Sequence, residues 1–155
     1  MQQTNLTIDL ITRDSGLVEA GVNYFWKCWG SDSNFDFYRD CIVHSLVPEV
    51  ALPKFYLLRR GSEIVGSYAL LTNDLISRQD LLPWFACLFV EEAHRNQGLA
   101  GKLLDHALLE ARKGGFDHLY LSTDLKGFYE KKGWDFYALG YGVGGDPFSI
   151  YVRST

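Results

Sequence analysis

Leu6, Ile8 and Leu10 alternate with polar residues and predict a first strand, closed by Arg13-Asp14-Ser15. Asp14 or Ser15 can cap a helix over about 16–29, which carries Tyr24, Phe25, Trp26 and Trp29. A polar loop, Gly30 to Asn34, leads to a second helix over about 35–46, ended by Pro48. Residues 55–59 and 64–72 read as two strands around the hairpin turn Arg60-Gly61-Ser62-Glu63. A polar stretch, residues 73–80, then enters the near-continuous apolar run Leu81 to Val90, the pattern of a strand buried on both faces. Leu99, Leu103, Leu104, Ala107, Leu108 and Ala111 recur at helical spacing, and Gly114-Gly115 marks the helix end. His118 to Ser122 is a further strand, and Thr123-Asp124 can cap a short helix holding residues 127–132, stopped by Gly133. Residues 134–139 and 148–152 form a closing pair of strands around a loose, Gly-rich linker. Strands alternate with helices, with hairpins early and late, so the fold class is α/β with a mixed sheet.

No repeat or interdomain linker interrupts the 155 residues, which predicts one domain over 1–155. Composition is that of a globular protein, 47% apolar and 22% charged, with a high aromatic share of 15%. A net charge of −4 without a Lys/Arg-rich run argues against nucleic acid as a partner. The start, Met1 to Asn5, lacks the basic stretch and apolar core of a leader, and no apolar run is long enough to span a membrane. Three cysteines, Cys28, Cys41 and Cys87, have no C-x-x-C spacing, and the four histidines have no ligand spacing. A cytoplasmic protein without disulfides or metal is expected. Cys87 lies in an apolar strand with no adjacent His, the setting of an inert thiol.

The apolar run and the turn after it carry the chemistry. A buried strand, a polar turn with Gly98, and a helix N-terminus together make an anion site, because the first helical N–H groups lack partners. Gly98 and Ala100 keep side chains clear of those amides, and Arg95 adds positive charge. A Walker loop is excluded, since Gly101-Lys102 is followed by Leu103 and position 96 is Asn; no G-x-G-x-x-G occurs.

Arg95-x-x-Gly98-x-Ala100 after an apolar strand resembles the acyl-CoA motif of the GNAT superfamily of N-acetyltransferases. Downstream, Phe128-Tyr129-Glu130-Lys131-Lys132-Gly133-Trp134 resembles that family's second signature, at the expected distance. The resemblance covers residues 84–134 and implies a central mixed sheet of roughly six to seven strands with about four helices. It implies acetyl-CoA as co-substrate, with the pyrophosphate held by Arg95, Asn96, Gln97, Gly98, Leu99, Ala100, Gly101 and Lys102. The pantetheine arm would run along Leu88, Phe89 and Val90, with Phe128 and Ser122 also on the cofactor. Ser122 departs from the family's usual Asn there and can donate only one hydrogen bond.

For the reaction, the resemblance makes Tyr129 the acid that protonates the leaving thiolate, while Phe128 packs the short helix on the sheet. The family's strand carboxylate falls near Trp84 and is missing, which leaves Asp80, acting through water, as the candidate base. Asp74, Trp84 and Trp29 are the expected acceptor contacts, and the carboxylates at 74 and 80 favour a cationic small-molecule amine. The whole implies acetyl transfer to a primary amine by direct attack in a ternary complex. A non-catalytic acyl-CoA sensor on the same fold is the rival reading, and whether the chain forms a homodimer is open.

Overall fold

The computed structural model describes residues 5–155. Met1 to Thr4, most of the stretch expected not to be a leader, lie outside the described residues. In chain order the elements are β1 (Leu6–Leu10), α1 (Val18–Trp29), α2 (Phe35–Val43), β2 (Lys54–Arg60), β3 (Glu63–Leu71) and β4 (Trp84–Val90). They continue as α3 (Leu99–Lys113), β5 (His118–Thr123), β6 (Asp135–Tyr141) and β7 (Pro147–Ser154). The seven strands form one sheet in the order β1-β2-β3-β4-β5-β7-β6. β1 runs antiparallel to β2, β4 parallel to β5, and β7 antiparallel to both β5 and β6. The mixed α/β sheet expected from the alternation of elements is present.

The chain condenses into two compact units. One runs as far as Ala69 and adds Cys87–Leu103; the other combines Leu70–Ala86 with Leu104–Thr155. In the first unit Phe25 meets Phe55 edge to face, and Tyr56 stacks on Tyr68 with ring centroids 4.4 Å apart. Ile42, Leu57, Leu58 and Val65 are fully buried there. In the second, Ile76, Leu81, Trp84 and Ile150 make a core cluster, flanked by Leu71, Tyr120 and Phe148.

Three element readings change. Ser15 does not cap α1: its hydroxyl accepts from the amides of Thr12 and Leu17, closing a turn, and the helix begins at Val18. α2 stops at Val43, where the Ser45 hydroxyl donates to the carbonyl of Ile42 and competes with further helix. The helix expected over 127–132 is a turn plus one 3-10 turn at Glu130–Lys132. Left-handed Gly127 and Gly133, at φ 81° and 85°, bracket too few residues for an α-helix. The described residues therefore hold three α-helices rather than four.

Gly66 on β3 sets how closely β4 can approach. A Cβ at position 66 would lie 2.6 Å from the carbonyl oxygen of Phe89 and 3.3 Å from a methyl of Leu58. Because the nearest atom is backbone, the strand must move to admit it. Gly66→Ala is expected to destabilise the fold by about 1–3 kcal/mol in chemical denaturation. It should also displace the Phe89 peptide, and an unchanged denaturation midpoint would contradict the close approach.

Candidate active site

The end of β4 departs from regular strand geometry. Trp84, Phe85 and Ala86 are buried, whereas Cys87, Leu88 and Phe89 are half-buried. Cys87 has φ 55°, a left-handed conformation that costs a non-glycine residue about 1–2 kcal/mol. The Ser67 hydroxyl donates to the Cys87 carbonyl at 3.0 Å and holds the kink in place. A left-handed residue within a strand re-aims the backbone groups that follow it, here those of Leu88 and Phe89.

Beyond β4 the chain makes one 3-10 turn and swings into α3. Asn96 and Gly98 are left-handed, at φ 62° and 74°, and turn the chain sharply into the helix. Residues 95–98 are exposed, the first turn of α3 carries no acidic residue, and a Cβ at Gly98 would meet nothing within 4 Å. The helix dipole and its early N–H groups therefore face open space with no anion of the chain's own in that turn. Arg95 Nε donates to the Val90 carbonyl at 2.9 Å, and its guanidinium lies 5.7 Å from the Phe89 ring centroid. Gln97 accepts from Arg60 at 3.1 Å, tying the turn to β2.

Aromatic side chains of α1 collect over the same strand end. Trp29 and Tyr24 each meet Phe89 edge to face, with centroids 6.3 and 6.4 Å away. The Tyr24 hydroxyl donates to Glu91 at 2.9 Å, and burial with that hydrogen bond pushes the phenol well above its ordinary range. Trp29 stays 42% exposed, so its indole remains available for contact.

The second unit holds the other candidates. Tyr129 is 8% exposed, its ring ranged against Phe128, Trp134 and Tyr151, and burial raises its phenol pKa. Asp80 is bound bidentately by Arg78, both contacts at 2.8 Å, and Arg78 also lies over the Tyr137 ring. That guanidinium holds the Asp80 carboxyl at about 2. Asp74 is half-buried with no hydrogen-bond or ion-pair partner among the described residues, and desolvation pushes its carboxyl up to about 6. It lines a cavity of about 460 Å³ together with Ile76, Ser122, Asp146 and Phe148.

The Acetyltransferase (GNAT) domain pattern matches residues 52–135, more than half of the chain. The chain belongs to the GNAT acetyltransferase family. It is by that membership an acyltransferase, and the match spans both the Arg95–Ala100 turn and Tyr129. Solved GNAT structures share its fold. An acetyltransferase from Desulfovibrio desulfuricans superposes with a TM-score of 0.70 at 16% identity, covering 97% of this chain and 99% of that one. A GNAT acetyltransferase from Elizabethkingia anophelis with acetyl-CoA bound gives 0.63 at 19% identity, with the same coverages. Aminoglycoside 6'-acetyltransferase type Ii gives 0.71 at 18% identity over 96% of each chain. No curated protein matches the sequence significantly.

Within this GNAT frame the expected residues fall in several places. Leu88, Phe89, Val90 and Arg95 to Lys102 are together in the first unit, as is Trp29; Asp74 and Ser122 share the cavity in the second. Trp84 needs correcting. It is fully buried in the core cluster, its indole N–H donating to the Leu81 carbonyl at 2.6 Å, so it packs the sheet and borders no acceptor. Phe128 and Tyr129 trade burial relative to expectation: Phe128 is 37% exposed, beneath the Lys132 ammonium, while Tyr129 is buried. Asp80 is an anchor for Arg78, and a carboxyl held near 2 is a poor proton acceptor at neutral pH. Asp146, in the Gly-rich linker beside Gly144-Gly145, lines the same cavity as Asp74, a neighbour that residue order alone does not disclose.

Among the described residues no helix is long and apolar enough to cross a membrane.

Proposed function

We propose that residues 1–155 act as one acetyl-CoA-dependent N-acetyltransferase domain, acetylating a primary amine of a small cationic acceptor. The observation that carries this reading is the exposed turn Arg95–Gly98 at the N-terminus of α3, free of acidic side chains in the helix's first turn. Pyrophosphate oxygens would take the amides of residues 96–100, with Arg95 and Lys102 adding charge-assisted contacts. The kink at Cys87 would turn peptide groups of Leu88 and Phe89 toward the amide-bearing pantetheine arm, a strand addition by the ligand that continues along Val90. A backbone N–H of Phe89 or Val90 would meet the oxyanion.

In the reaction the neutral amine attacks the thioester carbonyl, the new C–N bond forms and the C–S bond breaks. The nitrogen sheds a proton to solvent and the departing sulfur takes one from the Tyr129 phenol, which regains a proton from solvent, so acetamide and free thiol result. Burial keeps that phenol protonated at neutral pH, as an acid for a thiolate must be. The solved neighbour with acetyl-CoA bound supports the co-substrate, and the neighbouring aminoglycoside 6'-acetyltransferase supports an amine acceptor.

The test is thiol release from acetyl-CoA in the presence of an amine panel, with product mass recorded. Amine-dependent release with a mass gain of one acetyl group is expected. Tight acetyl-CoA binding without amine-dependent release from any member would instead favour a sensor built on the same fold.

A further inference from the structure

β2 ends on two consecutive arginines whose surroundings differ. Successive side chains of a strand point to opposite faces, so Arg59 and Arg60 leave the sheet on different sides. Arg59 has a carboxylate, with its Nε 2.9 Å from Asp9. Arg60 has no ion-pair partner among the described residues. Its Nη2 donates instead to the side-chain oxygen of Gln97 at 3.1 Å, a neutral acceptor on the exposed turn before α3.

The same guanidinium carries a buried nitrogen, Nε, that meets no hydrogen-bond partner among the described residues. Arginine keeps its charge in a protein, so it cannot escape that cost by losing a proton. Only an acceptor can relieve it, and an anion does so best. The acids of the adjoining hairpin and strand end are engaged elsewhere. Glu91 accepts from the Tyr24 hydroxyl, and Glu63 lies 3.7 Å from His94. Arg95 and Lys102 also lack a carboxylate partner among the described residues. All of these residues belong to the first unit. The hairpin is fastened there, because the Glu91 amide donates to the Val65 carbonyl at 2.8 Å.

We propose that Arg60 is a further cation for the phosphates of acyl-CoA, held on Gln97 until the ligand arrives. The inference rests on the acetyl-CoA reading above and adds to that site a residue from outside the turn and its motif. Nε and Nη2 form one edge of a guanidinium, the edge by which Arg78 grips both oxygens of Asp80. A phosphate that replaces the Gln97 oxygen at Nη2 can span to Nε and satisfy both nitrogens at once. A neutral hydrogen bond is thereby exchanged for a charge-assisted pair, while the exposed Gln97 amide turns to water.

The experiment is calorimetry with acetyl-CoA and with its 3'-dephospho form, on wild type, Arg60→Gln, Arg60→Lys and Gln97→Ala, with circular dichroism confirming each fold. Arg60→Gln should weaken acetyl-CoA binding by about 10–100-fold and make it less sensitive to salt. Arg60→Lys keeps the charge without the two-pronged edge and should recover only part of the loss. Gln97→Ala frees the guanidinium, leaves the backbone amide in place and should bind at or near wild-type strength. An equal loss with both ligands assigns Arg60 to the pyrophosphate; a loss confined to acetyl-CoA assigns it to the 3'-phosphate.

Wild-type affinity in folded Arg60→Gln would overturn the inference. So would a Gln97→Ala loss equal to that of Arg60→Gln with unchanged salt dependence, which would make Arg60 a brace for the turn and nothing more. Were Arg60→Gln to misfold, full affinity in Arg60→Lys would overturn the two-pronged contact. Absence of acetyl-CoA binding by the wild type would instead remove the co-substrate reading itself, and the inference with it.

Discussion

Tyr129→Phe is expected to lower kcat by about 10²–10⁴ while leaving acetyl-CoA affinity intact. The substitution keeps the ring that packs against Trp134 and Tyr151 and removes only the hydroxyl. Folding stability should therefore change little, and any loss of rate reports on proton transfer to the departing sulfur. A second readout separates acid catalysis from simple positioning. An acetyl donor whose thiol is more acidic, such as a thiophenyl ester, needs less protonation and should recover much of the lost rate. Unchanged kcat with acetyl-CoA in Tyr129→Phe would take Tyr129 out of the mechanism.

Gly98→Trp should abolish acetyl-CoA binding without unfolding the protein. A Cβ at this position meets no atom within 4 Å, so the indole would project into open space over the amides that begin α3. Backbone strain is the smaller part of the effect: φ is 74°, which costs a residue with a side chain about 1–2 kcal/mol. The larger part is steric. Each charge-assisted hydrogen bond denied to the pyrophosphate is worth about 1.5–3 kcal/mol, so two lost contacts weaken binding by about 10²–10⁴-fold. Gly98→Ala carries the strain with little bulk and should fall between wild type and Gly98→Trp in calorimetry. Full affinity in Gly98→Trp would place the nucleotide elsewhere.

Much of this site could be read from residue order alone, and the exceptions share a cause. The apolar run into β4, the turn at Arg95 to Gly98 and the stripe on α3 are local patterns, and local patterns survive into the fold. Trp84 misled because an aromatic residue at the mouth of a buried strand reads the same whether it faces a pocket or the core. Its contacts with Ile76 and Ile150 are set by residues 8 and 66 positions away. Asp80 looked like a base because it lay near the strand. Arg78, two residues earlier, was visible as a partner, but the bidentate geometry that lowers its pKa was not. The left-handed backbone at Cys87 has no sequence signal, since a cysteine in an apolar strand ordinarily stays extended. The Asp74 cavity depends on the β6–β7 turn folding back beside the β3–β4 loop, a pairing between segments more than sixty residues apart. Long-range register of this kind is where single-sequence reasoning loses its grip.

The most direct test of the central claim is a calorimetric titration of the purified wild-type protein with acetyl-CoA, with circular dichroism confirming the fold. Saturable one-to-one binding that weakens as salt is raised is the predicted result, because phosphate contacts at Arg95 and the α3 N-terminus are partly electrostatic. No detectable binding by folded protein would contradict the account and leave a GNAT fold without the co-substrate proposed for its turn.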